Sequence, residues 1–349
     1  MINNSFFSTE ILRWFRENGR DLPWRETRDP YAIWLSEIIL QQTRIAQGWE
    51  YWERFMQTYP KVEDLAAASE DDVLKLWQGL GYYSRARNLH TAAKQIVALG
   101  DFPNTLDGIK SLKGVGDYTA AAIGSFAFDI PAAVVDGNVY RVLSRYFGID
   151  TPINSTQGKK EFAALAQSLL PASDAASYNQ GMMDFGAIQC TPQSPKCLLC
   201  PLAETCEALR CGRVEELPVK NKTVKVKTRH LSYIYIRCKS SAADDTGKSE
   251  PMVAIHRRGE GDIWQGLWEP YNVSDVKELP SFVKNPILLA KDVKHVLTHR
   301  ILLADFYLLE TGNRPPLPDD YIWIKESEIE DYGVPRLIEI MLEKINPAE

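Results

Sequence analysis

The chain has 349 residues, too many for one ordinary core and enough for two domains. Its 45% hydrophobic and 25% charged residues are the proportions of a soluble globular protein. The formal net charge of −6 argues against a chain that holds nucleic acid by overall basicity, although a local patch can still do so.

No stretch reaches the roughly 18 apolar residues that would span a bilayer. The most apolar span, Thr119 to Val135, is alanine-rich and broken by Asp129 and Pro131, so it reads as core. The opening residues MINNSFFSTE lack a basic region followed by an apolar run, so a cytoplasmic protein with no membrane partner is expected.

The first element of interest is RDPYAIWLSEIILQQTR, residues 28 to 44. Asp29 as N-cap and Pro30 at the first position predict a helix start. Glu37 falls one turn after Ile33 and Trp34, on their apolar face. Burial disfavours an ionised carboxylate, so Glu37 is a candidate general acid, with a structural Glu paired to a buried Arg as the equal alternative.

Residues 105 to 127, TLDGIKSLKGVGDYTAAAIGSFA, predict a short helix ending near Leu112 and a second starting near Asp117. Between them, Gly114, Val115 and Gly116 let the backbone turn tightly. Their N–H groups and those of the next helix's first turn can then face a phosphate. Such a grip needs no large positive charge, which bears on the acidic net balance. In IPAAVVDGNVYRVLSR, Asp136 is placed to cap a helix beginning near Asn138. A helix N-terminus favours an ionised carboxylate. One carboxyl kept neutral and one kept charged is the division of labour that cleaves glycosidic bonds.

CTPQSPKCLLCPLAETC, residues 190 to 206, holds four of the six cysteines with gaps of six, two and five. Without a secretory start a disulfide knot is improbable, and metal ligation is the expected use. The chemistry of four thiolates leaves Cys₄ zinc and an iron–sulfur cluster both open. The segment PVKNKTVKVKTR, residues 218 to 229, contains five basic residues and no acidic one, and reads as a linker that can lie along phosphates. From His230 the texture changes to short β-branched and aromatic runs: HLSYIYIRC, PMVAIHRR, ILLADFYLLE and YIWIK. A last helix is predicted from Pro335 to Ile345. The expected domains are therefore 1–217, all-α, and 230–349, α+β, joined by 218–229.

Taken together and in order, LPWRETRDPYAIWLSEIILQQT, GLGYYSRARNL, LKGVGDYTA, VDGNVYRVL and the four cysteines resemble the adenine DNA glycosylases of the helix-hairpin-helix superfamily. The resemblance implies an all-α helix-hairpin-helix glycosylase domain with an iron–sulfur cluster loop, followed by an α+β Nudix-like domain. It implies a [4Fe–4S] cluster on Cys190, Cys197, Cys200 and Cys206, leaving Cys211 and Cys238 as ordinary thiols.

It further implies a flipped-out adenine, because its glycosidic bond is out of reach in the stack. Glu37 would protonate the base and Asp136 would stabilise the charge that grows on the sugar. Tyr118 would stand beside them, and Asn138 would orient the aspartate. Trp24, Arg25, Leu40 and Gln180 would line the adenine pocket, and Gln42 with Tyr82 would wedge into the stack. Gly114, Val115 and Gly116 would grip phosphate. Tyr140 is matched to the position where endonuclease III-like enzymes carry a Schiff-base lysine, which implies a monofunctional enzyme.

In the second domain the resemblance implies recognition of 8-oxoguanine opposite the adenine. HVLTHR sets Leu297, Thr298 and His299 where the family often has Phe-Ser-His, so the hydroxyl and imidazole remain and the aromatic is absent. No G-x₅-E-x₇-R-E-x-x-E-E run is present, so nucleotide hydrolysis is not expected. The expected partner is double-stranded DNA with A:8-oxoguanine or A:G mispairs, bound by a monomer, nucleoid-associated in the cytoplasm. The rivals are an endonuclease III-like glycosylase/lyase on oxidised pyrimidines and a noncatalytic iron–sulfur DNA-binding protein.

Overall fold

The structure, a computed structural model, describes residues 4–221, 226–239, 250–274 and 279–346. Residues 222–225 of the expected linker 218–229 lie outside the described residues. The chain divides into two units: Met1–Ala66 with Thr91–Lys222, and Ala67–His90 with Thr223–Glu349. Sequence reading assigns 67–90 to the helical half because its texture is helical. Here those residues group with the C-terminal half.

The first unit is helical. Helix Pro30–Ile39 is capped by Asp29, whose side chain accepts from the Tyr31 amide at 3.0 Å. Residues Tyr31 to Ile39 are all buried, as a helix apolar on every side must be. A second core joins helix Asn4–Asn18 to helices Gly137–Phe147, Thr156–Leu169 and Ala175–Asp184 through Phe7, Ile11, Val142, Phe162 and Met182.

The hairpin runs from helix Leu106–Lys110 to helix Asp117–Phe128. Gly114 has φ +79°, where a side chain would be strained, and Leu112 and Val115 are buried beneath the turn. Helix Ala175–Asp184 widens into a π-helical turn, Phe185–Gln189, which ends at Cys190. Such turns often mark functional positions.

The second unit is built on a seven-stranded mixed sheet of β1 (Lys227–Cys238), β2 (Met252–Arg257), β3 (Trp268–Glu269), β4 (Tyr271–Ser274), β5 (Ile287–Val296), β6 (Arg300–Thr311) and β7 (Tyr321–Lys325). The order is β3-β2-β1-β6-β5, with β4 on β1 and β7 on β2, and among the described residues only β1 and β6 run parallel. Side chains alternate between the two faces. Tyr233, Tyr235, Val253 and Phe306 face helix Arg336–Ile345, while Ile234, Ile236 and Ala254 face Tyr271, Phe282 and Trp323.

Residues 67–90 are tied into this unit by specific contacts. Arg257 bridges Glu70 and Asp71, each at 2.9 Å. The Arg87 guanidinium donates to the Gln265 carbonyl at 2.6 Å, and Gln78 bonds Glu339.

Candidate active site

In the first unit a cavity of about 290 Å³ is lined by Trp24, Arg25, Glu37, Leu40, Tyr118, Asp136, Asn138 and Gln180, among others. Eight expected site residues therefore converge on one space. Glu37 is only 6% exposed, and its Oε2 accepts from the Tyr118 hydroxyl at 2.9 Å. Burial pushes its carboxyl up to about 7, against that one hydrogen bond and the Arg25 charge, with the Asp136 charge adding to the rise. Burial also keeps the Tyr118 phenol protonated, so it remains a donor.

Asp136 caps helix Gly137–Phe147. Its oxygens accept from the Asn138 amide at 2.8 Å, the Val139 amide at 2.7 Å and the Asn138 side-chain Nδ2 at 2.8 Å. These donors favour the ionised form, as the sequence leads one to expect, but they do not fully offset burial. Burial raises the Asp136 carboxyl above its ordinary value despite these donors and Arg141. What separates the two acids is solvation by the protein: three donors reach Asp136 and one reaches Glu37.

Three arginines and one aspartate hold this frame, and sequence reading singled out only Arg25. Asp184 is fully buried and takes Arg25 through two contacts at 2.9 Å, and Arg20 as well. Burial alone would raise Asp184, yet these guanidiniums hold it below the ordinary carboxylate range. Arg141 donates to Asn138 Oδ1 at 2.8 Å, the Gly186 carbonyl at 2.6 Å and the Cys190 carbonyl at 2.8 Å. A Cβ on Gly186 would lie 2.9 Å from the Asn138 carbonyl oxygen, so only glycine lets the π-helical turn approach so closely. The signal for Arg141 and Arg145 was their one-turn spacing on a strongly amphipathic helix.

Trp24 is fixed edge-on by Trp49 and Trp52, with centroids 6.0 and 5.8 Å away. Gln42 does not line the cavity. It is exposed at the turn after helix Pro30–Ile39 with φ +58°. Tyr140 is also outside the cavity lining, with its ring packed edge-on against Phe162 at 5.2 Å. The inference drawn from Tyr140 therefore fails, since this phenol does not stand where a nucleophilic amine would act. The cavity itself has no lysine in its lining among the described residues.

At the hairpin, the Lys113 amide is taken by Gln95 Oε1 at 2.7 Å, and Val115 donates to the Leu112 carbonyl at 3.1 Å. Helix Asp117–Phe128 starts from Gly116, which has no side chain to cap the first-turn N–H groups.

Cys190, Cys197, Cys200 and Cys206 line one small cavity together with Arg145. Four thiols around one space suit a polynuclear iron–sulfur cluster. Burial pushes the Cys200 thiol up to about 12, with the other thiols adding to the rise, so a cationic centre is needed to keep the set deprotonated. Arg145 braces the loop through the carbonyls of Thr191, Pro192, Val214 and Leu217.

In the second unit, Tyr82, Leu297, Thr298 and His299 line a cavity of about 680 Å³. Thr298 and His299 are exposed in the turn between β5 and β6, and the Thr298 hydroxyl is hydrogen-bonded to the Tyr82 phenol. Tyr82 is 47% exposed with φ +47°.

Comparison with known proteins agrees with this architecture. Residues 35–171 match the HhH-GPD superfamily base excision DNA repair protein family, 247–344 a NUDIX domain, and 190–206 the iron–sulfur binding domain of endonuclease III. The chain therefore carries a [4Fe–4S] cluster. It is 30% identical over 355 residues to an adenine DNA glycosylase of Buchnera aphidicola, covering 97% of this chain and 98% of that one. It is 42% identical over 222 residues to the human adenine DNA glycosylase, covering 60% of this chain and 41% of that one. A thermostable thymine-DNA glycosylase of known structure aligns with TM-score 0.56 at 34% identity, covering 60% of this chain and 97% of that one. The helical unit with its buried acid pair and four-thiol loop, the Nudix-like sheet and the near full-length match place this chain among the adenine DNA glycosylases.

Proposed function

We propose that this chain hydrolyses the N-glycosidic bond of adenine mispaired with 8-oxoguanine or guanine in duplex DNA, without a lyase step. The observation that carries the reading is the pairing, in one cavity, of a buried Glu37 that accepts one hydrogen bond with an Asp136 that accepts three.

The flipped adenine enters between Trp24, Leu40 and Gln180, with Arg25 held at the wall by Asp184. Glu37 gives its proton to an imidazole-ring nitrogen of the base. The C1′–N9 bond then breaks, and its electron pair leaves with the neutral adenine. The ionised Asp136 faces the positive sugar and stabilises it, with Asn138 fixing its orientation. Water adds at C1′ and its proton passes to a carboxylate, which restores the acid. The Tyr118 hydroxyl holds Glu37 in place throughout. The absence of lysine from the cavity lining, among the described residues, supports hydrolysis over Schiff-base chemistry.

Cys190, Cys197, Cys200 and Cys206 hold the cluster, which braces the loop between Thr191 and Thr205 beside DNA. Gly114 and Gly116, with the first turn of helix Asp117–Phe128, grip phosphate through backbone N–H groups, which suits a chain of net charge −6; the expected Val115 donor is already taken by the Leu112 carbonyl. Gln42 and Tyr82, each at a left-handed backbone position, are the wedges. Residues 1–217 carry the chemistry, the basic stretch 218–229 links, and 230–349 reads 8-oxoguanine through Thr298 and His299.

The test is single-turnover excision on duplexes with adenine opposite 8-oxoguanine, guanine or thymine. We expect strand breaks only after alkali, formed fastest opposite 8-oxoguanine. Glu37→Gln should lose at least about 10²- to 10⁴-fold in rate while still binding the duplex. Breaks without alkali would point to a lyase, and undiminished excision by Glu37→Gln would remove it as the acid.

A further inference from the structure

The cavity of the second unit contains an aromatic residue that the recognition turn does not account for. Trp264 lies in the hairpin loop between β2 and β3 and lines the same cavity as Leu297, Thr298 and Tyr82. Its backbone has φ +61°, a left-handed conformation that a bulky residue adopts only when its surroundings hold it there.

Those surroundings are specific. The loop is closed by Arg258 and Leu267, whose backbones pair at 2.8 Å, and the Leu267 amide returns to the Trp264 carbonyl at 3.0 Å. The Arg258 guanidinium stacks 5.8 Å from the indole centroid. Arg258 is itself buried, donating to Glu269 at 2.5 Å, Asp262 at 2.7 Å and the Ile263 carbonyl at 2.8 Å. The His295 ring stands 5.8 Å from the indole on the neighbouring wall. Burial and the Arg336 charge keep His295 below the ordinary histidine range, so it presents a neutral ring. Arg87 and Arg300 add cationic groups to the lining, and at about 680 Å³ the space falls within the range of small-ligand pockets. Rigid aromatic faces with arginines at the rim are the means by which proteins stack nucleobases.

We infer that Trp264 is a specificity-determining residue whose indole stacks on a purine of the strand opposite the target adenine, at the site lined by Leu297, Thr298 and Tyr82. The inference rests on the proposed reading that this cavity faces that strand. Stacking depends on the size of the π-surface, so it favours any purine over a pyrimidine. The Thr298 hydroxyl instead reads the 8-oxo edge by hydrogen bonding.

The test uses the full chain and single-turnover excision of adenine opposite 8-oxoguanine, guanine and cytosine. Trp264→Ala should lower the purine-over-cytosine rate ratio roughly tenfold, within the range set by one stacked base, and Trp264→Phe should keep most of it. Thr298→Ala should lower the 8-oxoguanine-over-guanine ratio and leave the purine-over-cytosine ratio. Thermal melting reports folding, and if the alanine variant unfolds, Trp264→Leu, which removes the π-face and keeps apolar bulk, decides instead. An unchanged purine-over-cytosine ratio in a folded Trp264→Ala or Trp264→Leu variant overturns the inference, even if Thr298→Ala behaves as expected. A wild type that does not distinguish 8-oxoguanine from guanine would instead overturn the Thr298 reading, and the Trp264 ratio would still stand or fall by itself.

Discussion

Glu37 sets the pH behaviour expected of the protein. Its carboxyl is raised from an ordinary 4.5 to about 7 by burial. The proton it donates in the proposed reaction is present below that value, so on that proposal the excision rate should fall as pH rises through about 7, and a single-turnover pH profile checks this. The effect on stability has the same origin. A raised acid favours folding while it stays protonated, and that contribution is lost as pH rises from the unfolded to the folded value. Wild type should lose about 3 kcal/mol relative to Glu37→Gln between about pH 4.5 and 7, then level off, in denaturant titrations. Asp136 makes a second point at this scale. Its cap role was readable from DGN, whereas its upward shift was not, because burial is contributed by residues far away in sequence. Asn138→Ala removes one of its three donors and the acceptor of Arg141. Excision should fall about 10- to 100-fold with substrate affinity little changed, since a hydrogen bond to a charged group is worth about 1.5–3 kcal/mol.

Elements position these groups through close approaches rather than through propensity. Helix Gly137–Phe147 carries Asn138, Arg141 and Arg145 on one side, and the π-helical turn Phe185–Gln189 lies against it at Gly186. Gly186→Ala would force the Asn138 backbone away. We expect about 1–3 kcal/mol of destabilisation by thermal melting, and excision reduced in the folded fraction as for Asn138→Ala. The hairpin glycines and the Asp29–Pro30 start were legible, because turn and cap chemistry is local. The π-helical turn was not, because it depends on what packs against it. Tyr140 illustrates the hazard: a match by spacing assigned it a chemical position, and its ring lies instead on Phe162 in the core.

For the whole molecule, the acidic balance and the proposed DNA contact are compatible because backbone N–H groups and helix termini bind phosphate without net charge. Among the described residues no helix is long and apolar enough to cross a membrane. The Nudix-like sheet has the fold of a nucleotide hydrolase without its carboxylate run, and no acidic cluster for a metal ion appears among the described residues. The full chain with Mg²⁺ and 8-oxo-dGTP should therefore release no pyrophosphate above background in a phosphate-release assay coupled to inorganic pyrophosphatase. A robust rate would show that carboxylates elsewhere in the chain assemble a metal site.

The sequence by itself determined the helical and strand-rich halves, the four-thiol loop, the hairpin and the two acids, because each depends on local spacing, capping or turn chemistry. Tertiary structure alone decided the rest. It buried Glu37 and gave Asp136 three donors, closed Arg25 onto Asp184, and linked Asn138 to Cys190 through Arg141. It also drew 67–90, with Tyr82, into the unit of the sheet and set Trp264 in its cavity. These features depend on desolvation and on contacts between residues distant in the chain, which no local pattern encodes.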